Sequence, residues 1–552
     1  MKIVIIGGVA SGAACAARLR RLDETATIVV VERGAYVSYA NCGLPYYVGK
    51  KISSASSLLV MTPELMRSRF RLDIRTNTEA VAIDTASKRV TLKTPDQSYE
   101  ESYDKLVLAM GARPFKPAIE GIDSSRIHTL WSVPDAVKVR ELADETDHVA
   151  VIGGGFVGLE TAENLVLSGK KVTLIEASDQ VMAPLDPEMA ILLHNHLKKK
   201  GIELLLSDGV KAFQEDKNGL SIELLSGKRV NVGLALLAIG TRPNTEIAKN
   251  AGIVCDKRGF IVVDASMKTS AEDVYAAGDI AVTQEIIFDE AINVPLAGPA
   301  AKQGRVIADA ISGRDASFAG TQGTSILKVF DMTAACTGAN EKRLIARGLV
   351  RNKDYTSIII RAMSHAPFYP GATPMFIKLL FSCDGNKIFG AQIIGHDGVD
   401  KRVDVLATVI RLGGRVETLQ TLDLAYAPPF GAAKDPVNMA GFVAANVVDG
   451  LVRFADYRVT ADDVVFLDVR EEAERQVYAL PKAVAIPLGE LRNRLQELDP
   501  SKHYVVFCAI GVRAYNAARI LMQNQFGTVS VYPGGIQFYK QMHDVISTKS
   551  NA

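Results

Sequence analysis

Short apolar runs that end in glycine recur along this chain. Residues 2–8 read KIVIIGG, the alanine-rich stretch AACAARLRRL covers 13–22, and ATIVVVER follows at 26–33. A short unbroken apolar run, a helical period and a second apolar run predict strand, helix, strand. The same grammar returns at 148–176, HVAVIGGGFVGLETAENLVLSGKKVTLIE. Three further apolar runs stop at glycine: LVLAMGARP (106–114), LLAIGTRPN (236–244) and DVYAAGDI (273–280). Two such units in one chain imply two dinucleotide sites.

Beyond residue 320 the texture changes. SILKVFDMTAACTG (325–338) and MFIKLLFSCDGNKIFGAQIIG (375–395) read as antiparallel strands with turn chemistry at Asp-Gly, and helical patterns follow at about 399–414 and 435–448. VVDGLVRFADYRVT (447–460) reads as a short linker, and a compact unit of alternating strands and helices runs from VVFLDVREEAER to YPGGIQFY. The fold class expected is α/β, with two Rossmann-like nucleotide-binding domains, an α+β domain and a small C-terminal α/β domain. The boundaries expected are 1–115 with 245–320 for the first nucleotide domain, 116–244 for the second, 321–447 for the middle domain, 448–456 for the linker and 457–552 for the last domain.

Composition narrows the function. A chain of 552 residues has room for three or four domains whose cores need no staples. With 63 basic and 62 acidic residues the net charge is +1, which argues against general nucleic-acid or membrane-surface binding. Cys15, Cys42, Cys255, Cys336, Cys383 and Cys508 are scattered, without metal-ligand spacing, as in a reducing cytosol. The N-terminus opens on a strand pattern rather than a leader peptide, and no apolar run reaches the roughly 18–20 residues of a membrane span, so a cytoplasmic location is expected. HNH at 194–196 is the tightest histidine pair, but a spacing of two separates side chains by about 200° on a helix, so no metal site is expected.

The second glycine loop is the fuller one. Gly153, Gly155 and Gly158 form G-x-G-x-x-G between a strand and a helix, and Glu176 ends the next strand, where a carboxylate accepts from a ribose hydroxyl. An acid at that position repels a 2′-phosphate, which favours NADH over NADPH. The first loop, GGVASG, keeps Gly7 and Gly12 but has Val9 at the middle position; Glu32 ends its next strand, and Asp279 lies in DVYAAGDI, at the distance expected for a flavin's ribityl chain. A hydride donor and a buried relay suggest NADH feeding FAD.

These segments, with SYANCGLPYY (38–47) and LAYAPPFGAAKDPVN (424–438), resemble the single-cysteine flavoprotein disulfide reductases, and more closely the coenzyme A-disulfide reductases, over residues 1 to about 447. The resemblance implies FAD on Gly7, Gly8, Ala10, Ser11, Gly12, Glu32, Arg33, Val81, Gly111, Asp279 and Ala297, and NADH on Gly153, Gly155, Phe156, Val157, Gly158, Glu160, Glu176 and Gly240. It implies a homodimer and a reactive cysteine, Cys42, that cycles between thiolate and a mixed disulfide with coenzyme A. Coenzyme A contacts map onto Ala14, Arg18, Arg21, Ser38, Asn41, Cys42, Arg71, Lys302 and Lys434. Arg18 and Arg21, three apart, share a helix face. Tyr369 and Tyr426 match tyrosines brought across the dimer interface, where a phenol protonates a departing thiolate. Related NADH oxidases and peroxidases use a histidine in the first loop, where this chain has Val9, Ala10 and Ser11.

Residues 455–545 resemble a single rhodanese domain. Cys508 ends an apolar strand, and Ala509, Ile510, Gly511, Val512 and Arg513 lead into a helix. Successive backbone N–H groups and a helix N-terminus stabilise a thiolate or persulfide there, Arg513 closes the loop, and Asp468 and Arg470 brace it. The combination points to NADH-dependent reduction of coenzyme A persulfide, polysulfide or coenzyme A disulfide, with Cys508 handling sulfane sulfur. The competing readings are an NADH oxidase or peroxidase, and a sulfide or redox sensor without turnover.

Overall fold

Val, Ile and Leu fill the apolar runs, and in both nucleotide halves those runs become parallel strands buried on both faces. The computed structural model describes residues 1–217 and 219–547, apart from the side chains of 544–547. The first sheet runs in the order Asp73–Arg75, Thr27–Val31, Lys2–Ile6, Lys105–Leu108, Val274–Ala276. The second runs Glu203–Leu205, Lys171–Ile175, His148–Ile152, Leu234–Leu237, Ile127–Thr129. Each half also carries a three-stranded antiparallel meander, at 79–102 and 210–232, that the apolar pattern does not reveal. Thr241–Pro243 pairs antiparallel with Ala112–Pro114 and ties the halves together.

Compact packing divides the chain into two units. One is 1–179 with 201–321; the other is 180–200 with the chain from 322 onward. Segment 180–200 therefore leaves the nucleotide half to which its sequence position assigns it. Its helix Pro187–Lys199 explains the HNH motif: His194 and His196 are both buried, and His194 Nε2 accepts from the Val181 N–H at 3.1 Å. They are packing residues.

In the second unit, Ser325–Val329, Met332–Gly338, Ile388–Gly395, Pro374–Ser382 and Tyr355–Met363 form one antiparallel sheet in that order. The Asp-Gly turn expected at 384–385 joins two of these strands, with Gly385 at φ +73°; the first hairpin turns instead at Phe330–Asp331. Helices Val399–Arg411 and Pro436–Val448 match the helical patterns, and Val416–Thr421 is a short addition. The C-terminal sheet is parallel, in the order Val484–Ala485, Val465–Asp468, His503–Phe507, Thr528–Val531. The segment read as a linker is part of this domain. Val452 packs in its core, Phe454 bridges Val531, and the Ala455 N–H donates to the Val531 carbonyl at 3.0 Å. Those backbone groups cover the open edge of the sheet, which a free tether would leave unpaired. Among the described residues no helix is long and apolar enough to cross a membrane.

Candidate active site

The two glycine loops are built alike. The Gly7 N–H donates to Val31 O and the Gly153 N–H to Ile175 O, both at 2.8 Å. Gly7 (φ +100°) and Gly153 (φ +107°) take a backbone conformation that other residues avoid, and a Cβ on them would lie 2.1 Å from Ala109 O and 2.3 Å from Ala238 O. A Cβ on Gly12 would strike the Gly7 carbonyl, and one on Gly158 the Gly153 carbonyl. The middle position differs: Gly155 caps helix Phe156–Leu167 and faces open space, which leaves room for an anionic group to reach the free N–H groups of the helix start. In the first half Val9 stands at the corresponding place, as the N-cap of helix Ala10–Leu22.

The strand-end acids brace these loops. Glu32 accepts from the N–H groups of Gly8 and Gly34, each at 2.9 Å. Glu176 accepts from the Gly154 N–H at 2.7 Å and from Ser178 at 2.8 and 2.7 Å. Each carboxylate thus fixes its own loop. Asp279 accepts no side-chain hydrogen bond from the described residues, and burial pushes its carboxyl upward. A half-buried carboxylate with no protein partner fits a ligand hydroxyl, as FAD would supply. Gly278 beside it donates to Gln303 Oε1 at 2.7 Å and approaches Ser11, while Ala297 opens helix Ala297–Ile311. Arg33 is exposed near Glu79, Val81 is exposed on strand Glu79–Asp84, and Gly111 and Gly240 adopt positive φ beside the paired strands 112–114 and 241–243.

Cys42 lies exposed in the single turn Asn41–Gly43, directly before helix Leu44–Val48. None of the six cysteines forms a disulfide. In the same unit, Cys15 lies on the buried face of helix Ala10–Leu22 with its thiol pushed well above the usual range, and half-buried Cys255 points at the Ile253 carbonyl. Neither is a dithiol partner for Cys42. Ser38 holds φ +47°, Asn41 is exposed, and Arg71 caps helix Pro63–Phe70 in the left-handed region. Arg18 is paired with Asp309 at 2.7 Å, so its charge is partly spoken for; Arg305 and Arg314 reach the same carboxylate, which leaves the cluster positive. Arg21 stacks over the Phe70 ring. Ala14 is half-buried and Lys302 exposed. Tyr369, Tyr426 and Lys434 belong to the other unit and are exposed there, the tyrosines at 43% and 48%.

A pair that sequence reading missed stands behind Cys42. Tyr46 Oη donates to Glu160 Oε1 at 3.2 Å. Burial pushes the Glu160 carboxyl up to about 7, with Glu163 adding to the rise, while the Tyr46 bond opposes it. Glu160 lies one turn into the helix of the second loop, so a proton-binding group links that helix to the one that follows Cys42. Nothing in the spacing of residues 46 and 160 signals this; only packing brings them together.

In the C-terminal domain Cys508 is 1% exposed. Its Sγ accepts from the Gly511 N–H at 3.0 Å, and Gly511 (φ +110°) turns the chain into helix Val512–Gln523. The Ile536 N–H holds the Cys508 carbonyl at 2.8 Å. Arg470 is bound to Asp468 at 2.6 Å and also donates to Tyr478 O at 2.8 Å; neither side chain hydrogen-bonds the 508–513 loop among the described residues. Arg513 is held bidentately by Glu474, at 2.6 and 2.7 Å, which keeps its guanidinium above its usual range. Glu474 was not singled out in the sequence. It fixes the arginine at the mouth of the loop, and Ile510 and Val512 form an exposed apolar rim.

Residues 1–304 match the pyridine nucleotide-disulphide oxidoreductase model, 324–436 its dimerisation domain, and 455–542 the rhodanese-like domain. The chain is 34% identical over 448 residues to the coenzyme A disulfide reductase of Staphylococcus aureus strain JH9, covering 80% of this chain and 99% of that one. It is similar to the reduced CoADR-RHD of Bacillus anthracis, at 44% identity and TM-score 0.95 over 99% of this chain and 98% of that one. It is also similar to an NAD-dependent persulfide reductase from A. fulgidus, at 40% identity and TM-score 0.93, over 98% and 100% of the two chains.

Proposed function

The chain belongs to the pyridine nucleotide-disulphide oxidoreductases, and from that premise we propose that it reduces coenzyme A persulfide, polysulfide and coenzyme A disulfide with electrons from NADH, through a mixed disulfide between Cys42 and coenzyme A. The observation that carries this reading is the solitary, exposed Cys42 in the same unit as two nucleotide loops, with no second thiol positioned to resolve it. The resolving thiol then comes from the substrate. Arg18, Arg21, Arg71 and Lys302 supply positive charge for its phosphates.

The Cys42 thiolate attacks the inner sulfur of coenzyme A persulfide, forms the Cys42–S–S–CoA bond and expels hydrosulfide. FAD, when bound, supplies the relay that carries the hydride electron pair of NADH to this disulfide. The Cys42–S–S–CoA bond breaks to a Cys42 thiolate and free coenzyme A, which takes the proton. Tyr369 and Tyr426, brought by a second copy in a homodimer with Lys434, orient and protonate the leaving thiolate. Gly153, Gly158 and Glu176 hold the nucleotide end of NADH. Cys508 takes sulfane sulfur from polysulfide within the Ala509–Arg513 loop and passes it to coenzyme A.

Anaerobic NADH consumption tests this with coenzyme A persulfide, coenzyme A disulfide, polysulfide and peroxide, for the parent, Cys42→Ser and Cys508→Ser. Loss of all sulfur-dependent turnover in Cys42→Ser is the expected result. Full activity of Cys42→Ser on coenzyme A persulfide refutes the mechanism. Loss of polysulfide activity alone in Cys508→Ser assigns Cys508 to delivery.

A further inference from the structure

Helix Val512–Gln523 forms one wall of a cavity of about 470 Å³, opposite the turn Leu488–Leu491 and the residues after it. That volume lies in the range of small-molecule sites, roughly 300–1,000 Å³. Arg492, Arg519, Asn516 and Gln523 line it on the polar side, and Leu488 and Ile520 on the apolar side; no carboxylate lines it. The acids nearest in sequence, Glu490 and Glu497, are both held by Arg494 at 2.7 Å. Arg519 spends one N–H on the Leu451 carbonyl, and neither Arg519 nor Arg492 forms an ion pair among the described residues. Two guanidinium groups with no compensating anion, next to amides and an apolar wall, suit a phosphorylated ring system better than a bare ion.

The position relative to Cys508 narrows the ligand. Asn516 lies one helical turn beyond Val512, where the sulfur loop ends, and Arg519 lies about 10 Å along the axis from Val512. On the opposite wall the Leu488 N–H donates to Val469 O, and the Val469 N–H to Phe507 O, the residue before Cys508. The cavity lining therefore starts about one helical turn past the sulfur loop, at Asn516, and runs along the helix to Asn524. The pantetheine arm has roughly thirteen bonds from sulfur to phosphorus and extends to about 15 Å, at the roughly 3.4 Å a peptide gains per three backbone bonds.

We propose that this cavity binds the phosphorylated adenosine end of coenzyme A and presents its thiol to Cys508, so that the C-terminal domain has a coenzyme site of its own. The proposal rests on the reading that Cys508 hands sulfane sulfur to coenzyme A. In that step the coenzyme A thiolate attacks the outer sulfur of the Cys508 persulfide; the new S–S bond forms on coenzyme A, the Cys508 S–S bond breaks, and Cys508 leaves as thiolate. No outside oxidant or reductant is needed.

The test uses full-length, FAD-loaded Cys42→Ser enzyme, in which coenzyme A cannot be trapped at position 42. Hydrogen exchange is followed by mass spectrometry with coenzyme A, adenosine 3′,5′-bisphosphate, pantetheine or inorganic phosphate. Protection of segments 488–495 and 512–524 by the first two, absent with pantetheine and lost in Arg492→Gln/Arg519→Gln, is the expected result. No protection there at saturating coenzyme A, or equal protection by phosphate alone, overturns the proposal. Sulfur transfer from persulfidated Cys508 is then timed to coenzyme A and to pantetheine. The preference for coenzyme A falls about tenfold in the double variant, the equivalent of roughly 1.4 kcal/mol of binding; an unchanged ratio overturns the proposal. If Cys508 never carries sulfur while the protection appears, the sulfur-delivery reading fails and the adenosine site stands.

Discussion

Lys378 is 0% exposed and sits among three carboxylates, Glu188 at 2.5 Å, Glu341 at 2.7 Å and Asp186 at 2.8 Å. Burial alone would push its ammonium down, but the Glu188, Asp186 and Glu341 charges outweigh that and hold it above its usual range. The three acids have the arrangement of a cation site, and the ammonium is the cation in it. This cluster fastens segment 180–200 to the middle sheet, because Asp186 and Glu188 open helix Pro187–Lys199 and Lys378 stands in strand Pro374–Ser382. Lys378→Met keeps the volume and removes the charge. Two buried carboxylates and a partly buried one then face one another, and breaking a buried pair this way costs about 4 kcal/mol. In a folding unit of this size the loss lowers the thermal midpoint by roughly 10 °C. The deficit depends on pH. Carboxylates that repel one another have raised folded-state pKa values, so the folded variant binds more protons than its unfolded chain and loses stability as pH rises. The gap between parent and Lys378→Met is therefore widest near pH 8 and narrows toward pH 5, and Glu188→Gln added to Lys378→Met recovers part of it. Thermal unfolding at both pH values reads this directly. A gap under about 1 kcal/mol at pH 8, or one of the same size at pH 5, refutes the charge argument.

Glu160, with its carboxyl raised to about 7, binds a proton in the folded chain that the unfolded chain releases near 4.5, so it costs up to about 3 kcal/mol, developed as pH rises from 4.5 to 7 and constant above. Glu160→Gln is accordingly more stable than the parent at pH 8 and equal to it at pH 5 in urea unfolding. Gly153→Ala drives a Cβ to 2.3 Å from the Ala238 carbonyl at a left-handed φ; flavin reduction by NADH in stopped flow falls more than about tenfold, while reduction by dithionite proceeds. Glu474→Gln frees Arg513 from its bidentate partner and slows sulfur uptake by Cys508 about tenfold, read by mass spectrometry of the persulfide.

Local chemistry decides some features wherever the chain goes. An apolar run closing on glycine and opening a helix produces a nucleotide turn, because the positive φ and the close carbonyl contacts at Gly7 and Gly153 admit no side chain. Both loops and their strand-end acids were legible for that reason, whereas Cys42 and the loop around Cys508 were read through the family resemblance. What joined residues far apart in sequence was not. Tyr46 meets Glu160, Arg513 meets Glu474, and Lys378 gathers acids from positions 186, 188 and 341, each pairing created only when separate elements pack. The same holds for segment 180–200, whose sequence position assigns it to one half while its packing lies in the other. It holds too for residues 452–455, read as a linker by composition and claimed by the open sheet edge they cover. Backbone conformation is written locally in residue types. Charge pairing and edge coverage depend on which surfaces meet, and that is settled by the tertiary structure.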